Sequence, residues 1–166
     1  LRIYEALVAR LNPGISTLLF TNTRNQSERW HQCLRFACPE MEEGLALHHS
    51  AIDRSEREAI EASVKAGGIR WVVCTSSLDL GVDFQPVEQV VQIGSPKNLA
   101  RLLQRAGRSA HLPGGTSQVL FMPTNALELL ELSAVRRGLA EGLVEQRKPP
   151  KAPLDVLLQH LTGLAC

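Results

Sequence analysis

Residues 17–20 (TLLF), 69–74 (IRWVVC) and 87–93 (VEQVVQI) are short runs rich in leucine, β-branched and aromatic side chains. Strands of this character leave no face for water, which is the condition of a parallel sheet covered on both sides. The intervening stretches repeat at helical spacing. Ile3, Leu7, Val8 and Leu11 form a stripe that stops at Asn12-Pro13-Gly14. Asn25 and Glu28 resemble a capping pair for a helix through Trp30, Leu34 and Phe36, ended by Pro39. Asp53 and Glu56 form a second such pair, opening a helix that runs to Gly67-Gly68. A short apolar run at 45–48, a helix over 98–108, a strand over 118–122 and a long helix over 125–142 complete the alternation. The expectation is an α/β domain with a mainly parallel central sheet and helices on both faces.

The length of 166 residues suits about one ordinary domain with a real core. With 44% apolar and 21% charged residues, the chain lies near the globular average, which disfavours disorder and collagen-like repeats. No apolar stretch approaches the roughly 20 residues needed to cross a bilayer, and no signal segment opens the chain, so a membrane partner is not expected. Cys33, Cys38, Cys74 and Cys166 form no CxxC pair and read as free thiols. His31, Cys33 and Cys38 supply three soft ligands without a fourth, a poor metal site. Residues 148–153 (KPPKAP) read as a stiff linker after a domain over 1–147. Beyond it, Leu154, Leu157, Leu158 and Leu161 share one helical face, which a lone helix cannot bury. Residues 154–166 are therefore expected to open a following domain or to dock back on the first. The chain begins at Leu1 without Met and reads as a piece of a longer protein.

In open α/β sheets ligands bind beyond the carboxyl ends of the strands. Thr21-Asn22-Thr23-Arg24, His48-His49-Ser50, Thr75-Ser76-Ser77 and Gly81-Val82-Asp83 all fall at that edge. A cationic segment joins them. Lys97, Arg101, Arg105 and Arg108 follow at intervals of four, four and three, which predicts one cationic helix face, and no acid occurs from Gln89 to Leu127. Four like charges repel, so the stripe calls for anions from outside the segment: phosphates or a partner domain's carboxylates. The net charge of +1, from 18 bases and 17 acids, conceals this asymmetry. Hydroxyls and amides at 21, 22, 75 and 76 can bond phosphodiester oxygens without reading bases, and Asp83 can accept from a ribose hydroxyl.

Residues 75–83 (TSSLDLGVD) resemble motif V of superfamily 2 helicases, residues 104–111 (QRAGRSAH) motif VI, and residues 19–24 (LFTNTR) motif IV, in the same order and with matching separations. Residues 1–125 thus resemble the second RecA-like domain, a three-layer fold. His48-His49-Ser50 with Ser55-Glu56-Arg57, the terminal His111 of motif VI, and the run from Arg147 to Asp155 (RKPPKAPLD) are similar to Lhr-type proteins, particularly the ligase-associated DEXH-box DNA helicases. In that group the last run leads into a winged-helix domain.

The resemblance implies the C-terminal motor domain of an ATP-dependent DNA helicase or translocase. Arg108 would be the arginine finger on the γ-phosphate of ATP, with Gln104 beside it. Arg105 would either help at the nucleotide or brace the motifs. Gly81 and Asp83 would lie near the nucleotide and its ribose. Thr21, Asn22, Thr23, Arg24, Thr75 and Ser76 would hold the strand backbone. Ala110 and His111 stand where the pattern has Gly and a second Arg, so Arg108 would carry more of the load. The chain has no GxxxxGK[ST] loop and no DExH box, so ATP with Mg2+ would be held mainly by a first RecA-like domain in cis, and this piece alone would be inactive. Implied partners are single-stranded or partly duplex DNA and a ligase or nuclease repair set. The implied location is cytoplasmic, at the nucleoid. An RNA helicase, a duplex remodeller or a non-catalytic adaptor remain the alternative readings at this point.

Overall fold

The computed structural model describes residues 2–79, 87–109, 117–144 and 153–165. Five strands, β1 (Thr17–Phe20), β2 (Leu45–His48), β3 (Trp71–Cys74), β4 (Gln89–Ile93) and β5 (Val119–Met122), form one sheet in the order β2-β3-β1-β4-β5. Every pairing is parallel, with Phe20 level with Cys74 on one side and with Gln92 on the other. The apolar runs do become buried strands, as their composition requires.

Side chains alternate between two cores, as the pleat dictates. Leu19, Val73, Val91 and Ile93 join Leu7, Leu11, Trp30 and Leu34 on one face. Leu18, Phe20, Val72, Cys74 and Val90 join Leu78 and Val87 on the other. The first face is covered by α1 (Arg2–Val8) and α2 (Arg24–Ala37), whose Tyr4 and Trp30 rings lie 4.3 Å apart. The second core is flanked by α3 (Arg54–Lys65), from which Val64 packs against it. Burial pushes the Cys74 thiol far up, away from reactivity.

Three expectations are corrected. The cap of α2 is Thr23, whose side chain accepts from the Gln26 N–H, and Asn25 lies inside the helix. Asp53 does precede α3, but its carboxylate bonds no helix N–H. The helix expected over 98–108 is shorter, α4 (Leu99–Ala106), with Asn98 Oδ1 accepting from the Arg101 N–H at 2.7 Å. Lys97 therefore precedes the cap, at φ 70°, and Arg108 follows the helix in a turn.

Two further helices, α5 (Leu127–Ala140) and α6 (Leu154–Ala165), follow β5. Residues 145–152, which include most of the expected linker, lie outside the described residues. Leu154, Leu157, Leu158 and Leu161 of α6 are exposed. No helix among the described residues is long and apolar enough to cross a membrane.

Candidate nucleotide and nucleic-acid site

Because the strands are parallel and in register, the loops after β1, β3 and β4 emerge at one edge. The loop after β3 forms a 3-10 turn, Ser76–Leu78, ending at Asp79. Asp79 is the centre of the site. Its carboxylate is 6% exposed and accepts from Arg105 Nε at 2.8 Å, with Arg101 Nε at 3.5 Å. Its main-chain carbonyl accepts from Arg108 Nη2 at 3.0 Å.

Arg105 is 1% exposed. Burying a guanidinium is costly unless its charge and donors are matched. Here Nη1 donates to Gln92 Oε1 at 2.5 Å, and the guanidinium carbon lies 4.6 Å from the centre of the Phe20 ring. The Gln92 amide is held in turn, since its nitrogen donates to the carbonyls of Ile93 and Gly94. Through these contacts Arg105 ties the segment after β3 and the end of β4 to α4. The cation stripe is also corrected. Two of its four members, Arg101 and Arg105, meet a carboxylate supplied by the domain itself, where the spacing called for outside phosphates or a partner's carboxylates, and Arg108 bonds the main-chain carbonyl of the same Asp79.

The backbone-holding residues divide. The Thr21 hydroxyl is buried and donates to the Cys74 carbonyl at 3.2 Å, while Asn22 Nδ2 donates to the Ser95 carbonyl at 2.6 Å. Both side chains stitch loops together at the strand ends. Thr23, Arg24 and Ser76 are exposed there, and Thr75 lies just beneath the surface. Gln104 is exposed on α4. Gly81, Asp83, Ala110 and His111 lie outside the described residues.

Sequence reasoning passed over the anchor Glu128 and placed His48 at this edge without identifying its partners. Glu128 of α5 is buried and accepts from the N–H groups of Ser95 and Thr124, at 3.2 and 2.6 Å, which joins the loops after β4 and β5. Gly94, at φ 74°, allows this approach, since a Cβ there would stand 3.3 Å from Glu128 Oε1. His48 is 1% exposed, with Nδ1 2.8 Å from Ser77 Oγ and Nε2 3.1 Å from Glu61 Oε1. Burial lowers the His48 pKa despite Glu61, so this contact is a hydrogen bond from a neutral ring near neutral pH. A signal for Asp79 was available: it is the lone acid between Glu61 and Asp83.

The described residues offer no donor set for Mg2+. Among the described residues no three His, Cys, Asp or Glu side chains converge. The acid nearest the cations, Asp79, is already occupied by guanidinium groups. The described residues do not fit a resident metal.

The pattern of the helicase conserved C-terminal domain matches residues 2–112, and the chain belongs to that family. Within it the chain is of the Lhr type. It is 38% identical over 165 residues to the ATP-dependent helicase Lhr-Core protein 2 of Thermococcus barophilus, covering 97% of this chain and 19% of that protein. It is 38% identical over 118 residues to the Lhr helicase/uracil glycosylase of Escherichia coli, covering 71% of this chain and 8% of that one. The fold matches the Mycobacterium smegmatis helicase Lhr bound to ssDNA and AMP-PNP, with a TM-score of 0.79 and 32% identity over 96% of this chain and 21% of that one. The C-terminal domain of the DEAD-box protein Dbp5 shares the fold at a TM-score of 0.66 and 17% identity, covering 97% of this chain and 90% of that one. The RecA-like α/β architecture follows. The chain spans about a fifth of the length of its first curated relatives.

Proposed function

We propose that this domain is the C-terminal motor half of an ATP-dependent DNA helicase or translocase. The observation that carries the reading is the convergence of Arg101, Arg105 and Arg108 on Asp79, directly after the Ser76–Leu78 turn. One acid thereby joins a strand-holding loop to the cations of motif VI. Support also comes from relatives named as ATP-dependent helicases and from the Mycobacterium smegmatis Lhr described with ssDNA and AMP-PNP.

Arg108 is the finger that meets the γ-phosphate of ATP bound on a first motor domain of the same protein. Its permanent, planar charge suits the charge developing on a transferring phosphoryl group. Gln104 stands beside that phosphate. By resemblance, Gly81 and Asp83 face the nucleotide and its ribose. Thr23, Arg24, Thr75 and Ser76 hold phosphates of the single strand, while Thr21 and Asn22 keep the two loops in place. Mg2+ is held by the first motor domain. ATP binding closes the two domains on each other and hydrolysis releases them, so that backbone grips ratchet along the strand. A repair setting with a ligase or nuclease, at the nucleoid, follows from the family likeness.

The experiment is Arg108→Ala in the full-length protein. DNA-stimulated ATP hydrolysis is expected to fall by about 10³ to 10⁵, the range of arginine fingers, and a loss below about tenfold removes the assignment. For the grip, Arg24→Ala with Thr75→Ala is expected to weaken single-strand binding and flatten its salt dependence. Unchanged affinity would refute it.

A further inference from the structure

The Ser76–Leu78 turn has little to hold it from within. A single 3-10 turn makes few bonds of its own, here Leu78 N–H to the Thr75 carbonyl at 3.4 Å and Asp79 N–H to the Ser76 carbonyl at 3.1 Å. Its far end is tied to α4 through Asp79. Its near end meets His48, the last residue of β2. The His48 carbonyl faces the Thr75 N–H at 3.3 Å and the Ser77 hydroxyl at 3.2 Å, and the His48 ring reaches the same hydroxyl through Nδ1 at 2.8 Å.

The Glu61 carboxylate fixes the proton on this ring. A carboxylate has no hydrogen to give, so the Nε2 facing it carries one. In the neutral ring Nδ1 is then a bare acceptor, and the single Ser77 Oγ–H hydrogen is directed to it at 2.8 Å, the shorter of its two acceptor distances, with the His48 carbonyl at 3.2 Å as the lesser partner. Two carboxylate-paired imidazoles stand in succession at this strand end, for His49 Nε2 lies 3.2 Å from Glu28 of α2. Of the two, the His48 ring is the one bonded to the turn.

We infer that His48 is a positioning residue for the single-strand grip: through Ser77 its imidazole sets the 75–77 turn at the angle at which Thr75 and Ser76 meet the phosphate backbone. The inference rests on the grip reading above, and its test separates the two.

The two amide substitutions at position 48 each preserve half of the imidazole's bonding. His48→Asn puts an amide where Nδ1 was, within reach of Ser77. His48→Gln puts one where Nε2 was, toward Glu61. Affinity of the full-length protein for a fluorescent oligothymidylate is measured alongside KM for ATP. His48→Asn is expected to keep the wild-type affinity. His48→Gln is expected to lose about three- to tenfold, the range open to one buried hydrogen bond, with KM for ATP unchanged because the finger is held from the Asp79 end. Ser77→Ala, at a half-buried surface position, is expected to reproduce that loss, and adding it to His48→Gln to cost nothing more.

A purely structural role for a buried side chain would lower both amide variants alike, and that outcome overturns the inference. So does an unchanged affinity in Ser77→Ala, which decides the matter even where His48→Gln does not fold. If Arg24→Ala with Thr75→Ala is also without effect, the grip reading itself has failed. If that pair weakens binding while the His48→Gln and Ser77→Ala variants do not, the role of His48 alone is lost.

Discussion

Asp79 shares one carboxylate between Arg105 and Arg101 and lends its carbonyl to Arg108. Removing it leaves Arg105, at 1% exposure, with an unmatched charge. Asp79→Ala is therefore expected to cost about 3–5 kcal/mol, the range for breaking a buried pair, read from urea unfolding. Arg105→Met should cost less, because an apolar side chain of similar length fills the space over Phe20 and Asp79 keeps Arg101. Equal losses would mean that packing, and not the unmatched cation, dominates. The exposed pairs Arg54–Glu58 and Arg137–Glu141 make the opposite case, since ion pairs open to water are screened and contribute little.

Helix starts in this domain depend on individual side chains. Thr23 and Asn98 each accept a helix N–H, and replacing either by Ala is expected to cost about 1 kcal/mol in chemical denaturation. Asp53→Ala should cost less, because its carboxylate bonds no N–H and acts on α3 through its charge alone. Elements were readable from the chain where composition and period agreed. TLLF, LALH and the core of IRWVVC became β1, β2 and β3 within two residues of their expected limits. The ends were less so, because Thr23 and Asn25 are both good caps and sequence offers no means of choosing. The spare Glu28, expected to complete a capping pair, pairs with His49 instead. The same uncertainty moved Lys97 and Arg108 off the helix face that their spacing suggested.

The assembled domain should lose stability on mild acidification. Burial lowers the pKa of His48, partly opposed by Glu61, and burial with the nearby Arg35 charge lowers that of His31. Both rings are neutral in the fold, while in the unfolded chain they take up protons near the ordinary value of 6.5. Stability is then fully present above 6.5, falls as the pH drops from there toward the folded-state values, and levels off below them. Urea midpoints measured across that interval should show the decline, and His48→Gln should flatten it. Apolar surface is left uncovered elsewhere. Leu127, Leu143 and Val144 border an open groove of about 840 Å3 beside α5, and the α6 stripe is exposed as well.

Strand identity, the parallel α/β class and the motifs at one sheet edge were present in local composition and spacing, because burial on both faces and backbone caps are short-range requirements. The partners at that edge were not. Asp79 meets Arg105 across 26 positions, Asn22 meets the Ser95 carbonyl across 73, and His48 meets Ser77 across 29. A period along one helix shows where cations stand but carries no information on which loop crosses in front of them. Whether Arg105 faces a ligand or an internal acid was settled by the packing of α4 against β4, which brings the guanidinium over Phe20 and against Asp79, where a buried charge is tolerated only with its counter-charge in contact.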